Sequence, residues 1–213
     1  MRGYIFDMDG TLFQTNLILA PALEETFQML RDKGLWEGET PLELYEAIMG
    51  VPLPEVWRTL CPLHTESQHQ VSNDFFQHVL IRCIQNRQGA LYDGVEDVLS
   101  TLSKVDPLFI ASNGQTAYLQ AIVDTYQLQR YFQAVYSIDV ESSGNKADLV
   151  ARIIREQQLE EGAVIGDRLS DFEAAHKNHF KAIGVAFDFA QQQELHMADE
   201  VVTDFKALPL LLK

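Results

Sequence analysis

The first eleven residues constrain the chain more than any other stretch. Gly3-Tyr4-Ile5-Phe6 runs straight into Asp7-Met8-Asp9-Gly10-Thr11. A short apolar run rich in aromatic and β-branched residues is the signature of a strand buried on both faces of a parallel sheet. Open α/β sheets take their ligands at the carboxyl ends of their strands. Asp7 and Asp9 therefore stand where a ligand arrives. Gly10 lets the backbone turn away at angles that a Cβ disfavours.

Two carboxylates at such a place have a definite chemistry. Asp7 is anionic at pH 7 and can attack a phosphorus centre with no base to activate it. The product is an acyl phosphate, which water can hydrolyse. Asp9 can give a proton to the leaving oxygen and later take one from the attacking water. An anion approaching an anion is repelled by about 4 kcal/mol for unit charges 4 Å apart at an effective dielectric near 20. The chemistry thus requires a divalent cation and a lysine elsewhere in the chain. The alternative for Asp-x-Asp-Gly alone is an ordinary turn at a strand end.

The remaining sequence alternates in kind. From about residue 15 to 88 only helical periodicity appears. Leu19, Ala22, Leu23, Phe27 and Leu30 mark a helix ending at Lys33-Gly34, and Thr40-Pro41 reads as the cap and first turn of a second over 42–49. A third helix is expected from about Glu55 to before Cys61-Pro62, and a fourth through Val71, Phe75, Phe76, Val79, Leu80 and Cys83. After Tyr92-Asp93-Gly94 the pattern changes to strands at 107–111, 134–138, 163–165, 182–187 and 200–202, separated by helical segments. Such alternation predicts a parallel sheet with helices on both faces. The fold class is therefore α/β: a Rossmann-like parallel sheet flanked by helices, with a small all-helical cap inserted after the first strand. Residues 1–14 and 89–213 form the core, and 15–88 the cap domain.

Three of the expected strands end in polar signatures: Asp7/Asp9, Ser112/Asn113 and Gly166-Asp167-x-x-x-Asp171. Lys146 opens a helix between the last two. Parallel strands deliver all these ends to one edge. Mg²⁺ prefers hard oxygens and needs only one or two carboxylates beside a phosphate oxygen, which Asp7 and Asp167 supply, with Asp171 available directly or through water.

In order and spacing this set resembles the haloacid-dehalogenase-like hydrolase superfamily across the whole core. The resemblance implies that Asp7 is the phosphoryl-accepting nucleophile. Asp9 becomes the general acid/base, with its backbone carbonyl on Mg²⁺. Ser112, with Asn113 beside it, holds the transferring phosphoryl group, and Lys146 neutralises Asp7. Asp167 is the metal carboxylate and Asp171 its supporting acid. The acid at position 9 favours a phosphate ester, since the family's dehalogenases lack an acid there and its phosphonate-cleaving members carry a small residue. Leu91-Tyr92-Asp93-Gly94-Val95 and Gly50-Val51-Pro52-Leu53 are further similar to phosphoglycolate-phosphatase-type members. Three departures stand out: Ala147 where many relatives have proline, His179-Phe180 where they often have a glycine, and Phe187-Asp188-Phe189 in place of a glycine-containing turn.

The expected function is a Mg²⁺-dependent phosphatase acting on a small phosphomonoester, such as a phosphoglycolate-like compound, a sugar phosphate or a nucleoside monophosphate. A sugar phosphomutase or a non-catalytic phosphate-ligand-binding protein on the same core are the alternatives. Thr11 favours the phosphatase, because the capped mutases resemble Asp-Gly-Val there. The loop from Met49 to Pro54 is the candidate for reading the leaving alcohol. A net charge of −15 disfavours nucleic acid and acidic membranes as partners. Asp7 and Asp9 interrupt the only early apolar run, so neither a signal peptide nor a membrane span is expected. Cys61 and Cys83, with no metal-type spacing, read as buried thiols in a reducing, cytoplasmic compartment. His64, His69 and His78 read as structural or exposed, and Trp36, Trp57, Phe75 and Phe76 as packing residues. Oligomeric state leaves no mark on the sequence.

Overall fold

The computed structural model describes residues 1–51 and 53–212. Six parallel strands form one sheet in the order β3-β2-β1-β4-β5-β6. They are β1 (Arg2–Phe6), β2 (Leu108–Ser112), β3 (Ala134–Ser137), β4 (Glu161–Gly166), β5 (Lys181–Val185) and β6 (Glu200–Val202). The helices are α1 (Asn16–Asp32), α2 (Leu42–Ala47), α3 (Leu53–Leu60), α4 (Glu66–Gln85), α5 (Val95–Leu102), α6 (Thr116–Thr125), α7 (Lys146–Gln157), α8 (Leu169–Lys177), α9 (Gln192–Leu195) and α10 (Leu208–Leu211).

The central strands alternate between two apolar layers. Tyr4, Phe6, Leu108, Ile110 and Ile165 pack on one face with α5, α6 and α10. Ile5, Phe109, Ala111 and Val164 pack on the other with α7 and α8. Burial on both faces explains why these strands read as continuous apolar runs.

Helices α1 to α4 lie between β1 and α5, as the helical periodicity of 15–88 predicts. They join the first apolar layer rather than forming a separate core, with α4 packed on both α1 and α6. Trp57 meets Phe76 edge-on with ring centroids 5.6 Å apart, and its Nε1 donates to Asn73 Oδ1 at 3.2 Å. Such aromatic pairs add about 0.5–1.5 kcal/mol beyond the area they bury. Trp36 and Phe75 are half-buried against the same layer. His69 Nε2 contacts Cys61 O at 2.8 Å and His64 Nε2 contacts Leu35 O at 2.7 Å, which are structural roles. Cys61 and Cys83 are free and buried.

Several boundaries differ from expectation. Thr40 does not cap α2: the cap position is Pro41, and the Thr40 hydroxyl donates instead to Glu24 Oε2 at 2.5 Å. Helix α3 begins at Leu53, ahead of Glu55. Strands β3 and β5 stop at Ser137 and Val185: Ile138 opens a 3₁₀ segment, and beyond Val185 the Ala186 amide makes a last bond to Val202 O at 2.9 Å. Two short helices near the C-terminus, α9 and α10, carry no strong sequence signal. Pro52, inside the loop expected to read the leaving alcohol, lies outside the described residues.

Two of the three departures from the family pattern have a local compensation, and the third has none. The Ala147 amide, which a proline would lack, donates to Asn145 Oδ1 at 2.8 Å and caps α7. Phe187 stacks on Tyr92 with centroids 4.5 Å apart, while Tyr92 OH donates to Asp188 Oδ2 at 2.8 Å. His179 follows the C-terminus of α8 with φ +59°, in the left-handed region where glycine is favoured.

Candidate active site

Strand β1 is flanked by β2 on one side and β4 on the other, and the chain departs in opposite directions from it. This is the crevice at which open α/β sheets bind ligands. Phe6 is level with Ile110 of β2 and Ile165 of β4. Asp7 is thus the first residue past the sheet edge, and its amide still donates to Ile165 O at 2.8 Å. Asp167 leaves β4 at the neighbouring position.

Asp7, Asp167 and Asp171 each offer a carboxylate oxygen, and these oxygens lie within 4.8 Å of one another. Residues from opposite ends of the chain therefore meet as the sequence predicts. Thr11 Oγ1 donates to Asp167 Oδ1 at 3.0 Å, and the Arg168 amide donates to Asp171 Oδ2 at 3.1 Å. Two glycines make the approach possible. A Cβ on Gly10, whose φ is +76°, would stand 2.5 Å from Asp167 Oδ2; one on Gly166 would stand 2.1 Å from Asp171 Cγ.

Lys146, the first residue of α7, reaches into this group. Its Nζ donates to Asp7 Oδ1 at 2.5 Å. Asp171 Oδ1 lies at the same distance from Nζ, an ion-pair contact off the direction of a hydrogen bond. Burial opposes the lysine's charge, but Asp171 and Asp7 outweigh it and raise its pKa. The pKa values of the acids rise too, which for them disfavours the charged form. Burial raises the Asp7 carboxyl to about 7, against the pull of Lys146 and with the push of Asp171 and Asp9. Burial, then Asp7 and Asp171, raise Asp167 well above the usual carboxylate range. This crowd of buried acid needs more positive charge than one ammonium gives.

The donor set fits a divalent cation. Three carboxylates converge, hard oxygens suit such an ion, and Asp167 Oδ2 is buried without a hydrogen-bond partner. The Asp9 carboxylate is not in the triad; only its backbone carbonyl could join it.

Asp9 instead turns towards the helices. Its Oδ1 accepts from Thr15 Oγ1 at 2.5 Å and from Tyr118 OH of α6. Burial raises its pKa, partly offset by those two hydrogen bonds. Thr15 and Tyr118 were not singled out from the sequence. Ser112 is buried at the end of β2, and its Oγ accepts from the Gly114 amide at 3.0 Å. Asn113 Nδ2 donates to Gly50 O at 2.6 Å, tying the sheet edge to the loop after α2. Asp7, Asp9, Ser112, Asn113, Lys146 and Asp171 all face one cavity of about 60 Å³, which Tyr45, Gln77 and Leu80 close from the helical side.

The sequence profile of the haloacid dehalogenase-like hydrolases matches residues 4–185. The chain belongs to that family. A 5'-nucleotidase of Pseudomonas aeruginosa is 23% identical over 215 residues, covering 98% of this chain and 94% of the relative. The pyrophosphatase PpaX of Listeria monocytogenes is 26% identical over 189 residues, covering 86% and 82%. The crystal structure of CbbY from Rhodobacter sphaeroides in complex with phosphate superposes with a TM-score of 0.84 over 98% of this chain and 96% of that one. Its identity is 18%, so it speaks for the fold. The chain is thus a haloacid dehalogenase-like hydrolase in which Asp7, Asp167 and Asp171 converge at the sheet edge. Among the described residues, no helix is long and apolar enough to cross a membrane.

Proposed function

We propose that this hydrolase is a cytoplasmic Mg²⁺-dependent phosphatase that hydrolyses a small phosphomonoester through an aspartyl-phosphate on Asp7. The observation that carries the proposal is the convergence of Asp7, Asp167 and Asp171 within 4.8 Å, with Lys146 on the Asp7 carboxylate. The names of the nucleotidase and pyrophosphatase relatives, and the phosphate bound to CbbY, support the substrate class. The two buried free thiols fit a reducing compartment.

The steps follow from the chain's own groups. An Asp7 oxygen attacks phosphorus, and the bond from phosphorus to the leaving oxygen breaks. Asp9 gives that oxygen its proton. Water then attacks the acyl phosphate, Asp9 takes a proton back, and inorganic phosphate leaves. Ser112 and Asn113 hold the phosphoryl oxygens, and Lys146 neutralises charge on the nucleophile. Asp7, Asp167 and Asp171, with the Asp9 carbonyl, would hold Mg²⁺, which offsets the negative charge of nucleophile and phosphoryl oxygens when bound. Residues 15–88 act as a cap domain that excludes bulk water, which strengthens each charge interaction beneath it.

Phosphate release from a panel of phosphate esters with Mg²⁺ tests the proposal. Asp7→Asn should lower kcat by about 10³-fold or more, since no other group can accept the phosphoryl. Phosphate release that survives this substitution defeats the mechanism. Isomerised sugar phosphate in place of free phosphate would identify a mutase.

A further inference from the structure

The cavity has a polar group that the phosphatase chemistry does not use. Gln77 projects from α4, is 9% exposed, and its Oε1 is buried with no hydrogen-bond partner. It lines the same cavity as Asp7 and Asp9, in company with Leu19, Tyr45, Met49 and Leu80. Among the described residues, 15–88 contribute no charged side chain to that wall.

The charges already present are committed. Lys146 serves Asp7 and Asp171. Arg168, the other cation at the wall, is held by Glu194 through Nε at 2.8 Å and Nη2 at 3.3 Å, which balances its charge, although its Nη1 is buried with no partner. A second anion on the substrate would be buried among several carboxylates and would have to share Arg168 with Glu194, at a large desolvation cost. A hydroxyl is different. It can donate to Gln77 Oε1, and it can accept if the amide is turned over.

Building on the phosphatase reading, we infer that the leaving group is a neutral, hydroxyl-bearing alcohol recognised by Gln77, and not a second anion. Gln77 is then a specificity-determining residue. Filling an orphaned acceptor rewards the hydroxyl, and the neutral wall rejects the carboxylate.

A matched pair tests this in the full-length protein with Mg²⁺. Glycerol 3-phosphate and 3-phosphoglycerate share a three-carbon skeleton and differ by a terminal hydroxymethyl or carboxylate. The expected kcat/KM ratio is about tenfold or more in favour of glycerol 3-phosphate. Gln77→Leu should shrink that ratio several-fold, and Gln77→Arg should invert it by giving the carboxylate a partner. Because each ratio is taken within one protein, partial misfolding of a variant does not affect it. Equal or reversed preference in the unmodified protein overturns the inference and leaves the phosphatase standing; Arg168 would then be the anion's partner. A ratio unmoved by both variants, or hydrolysis of p-nitrophenyl phosphate alone, also overturns it. Failure to release phosphate from all three esters overturns the phosphatase reading itself.

Discussion

At the scale of single residues the site is held together by mismatched burial and charge. Asp7 is raised to about 7 from an ordinary 3.8 by burial, and Asp9 and Asp167 move in the same direction. Without a cation the folded chain therefore holds more protons than the unfolded chain between those values. Stability must then fall as pH rises through that window, since the state that binds more protons is favoured at low pH. The Lys146 pKa is raised as well, but the stability it contributes is lost only far above neutral pH. The metal-free protein should melt at a higher temperature near about pH 5.5 than near about pH 8, and Mg²⁺ should stabilise it more at the higher pH, because metal binding requires deprotonated acids. Thermal melts at both pH values, with and without Mg²⁺, check this. A melting temperature that rises with pH in the absence of metal would contradict it. The reacting acids were legible because each directly follows a buried strand within a short motif. Thr15, Tyr118 and Gln77 were not, because they reach Asp9 or the cavity from helices whose packing only the tertiary fold decides.

At the scale of elements, strands and long helices follow their periodicity, and the errors gather at termini. Thr40 looked like a cap by composition, but Glu24 on α1 offers its hydroxyl a charged acceptor that no local pattern reveals. The end of α8 shows the reverse case, where sequence comparison anticipates geometry. Phe180 N donates to Ala175 O at 2.9 Å and His179 N to His176 O at 3.1 Å, so His179 occupies the left-handed position after the helix. A residue with a Cβ costs about 1–2 kcal/mol there, while glycine loses about 0.5–1 kcal/mol of unfolded-state freedom. The imidazole is exposed and has little packing to lose. His179→Gly should therefore stabilise the fold by about 0.5–1 kcal/mol. Urea denaturation should show a higher midpoint with an unchanged slope, and kcat should stay the same because the position is remote from the cavity. A lower midpoint would mean that the imidazole contributes more than its exposure implies.

At the scale of the whole molecule, two fields of opposite sign compete for an anionic substrate. The chain carries a net charge of −15, which repels a phosphate ester at a distance. Close to the sheet edge, Lys146, Arg168 and the dication of the proposed mechanism would supply local positive charge against it. The two act over different ranges. Salt shortens the Debye length from ~30 Å at 0.01 M to ~8 Å at 0.15 M, which screens the diffuse surface field far more than contacts inside a narrow cavity. With Mg²⁺ saturating, adding KCl over this range should raise kcat/KM for a dianionic ester by roughly two- to fivefold and leave kcat unchanged. Entry, and not the chemical step, is what the surface charge opposes. A neutral ester analogue used as a competitive ligand should bind with no such salt dependence, which separates long-range repulsion from a salt effect on cap closure. If kcat/KM instead falls as salt is added, the cavity's positive charge reaches beyond its mouth and steers the substrate inward, and the acidic surface plays no part in the approach.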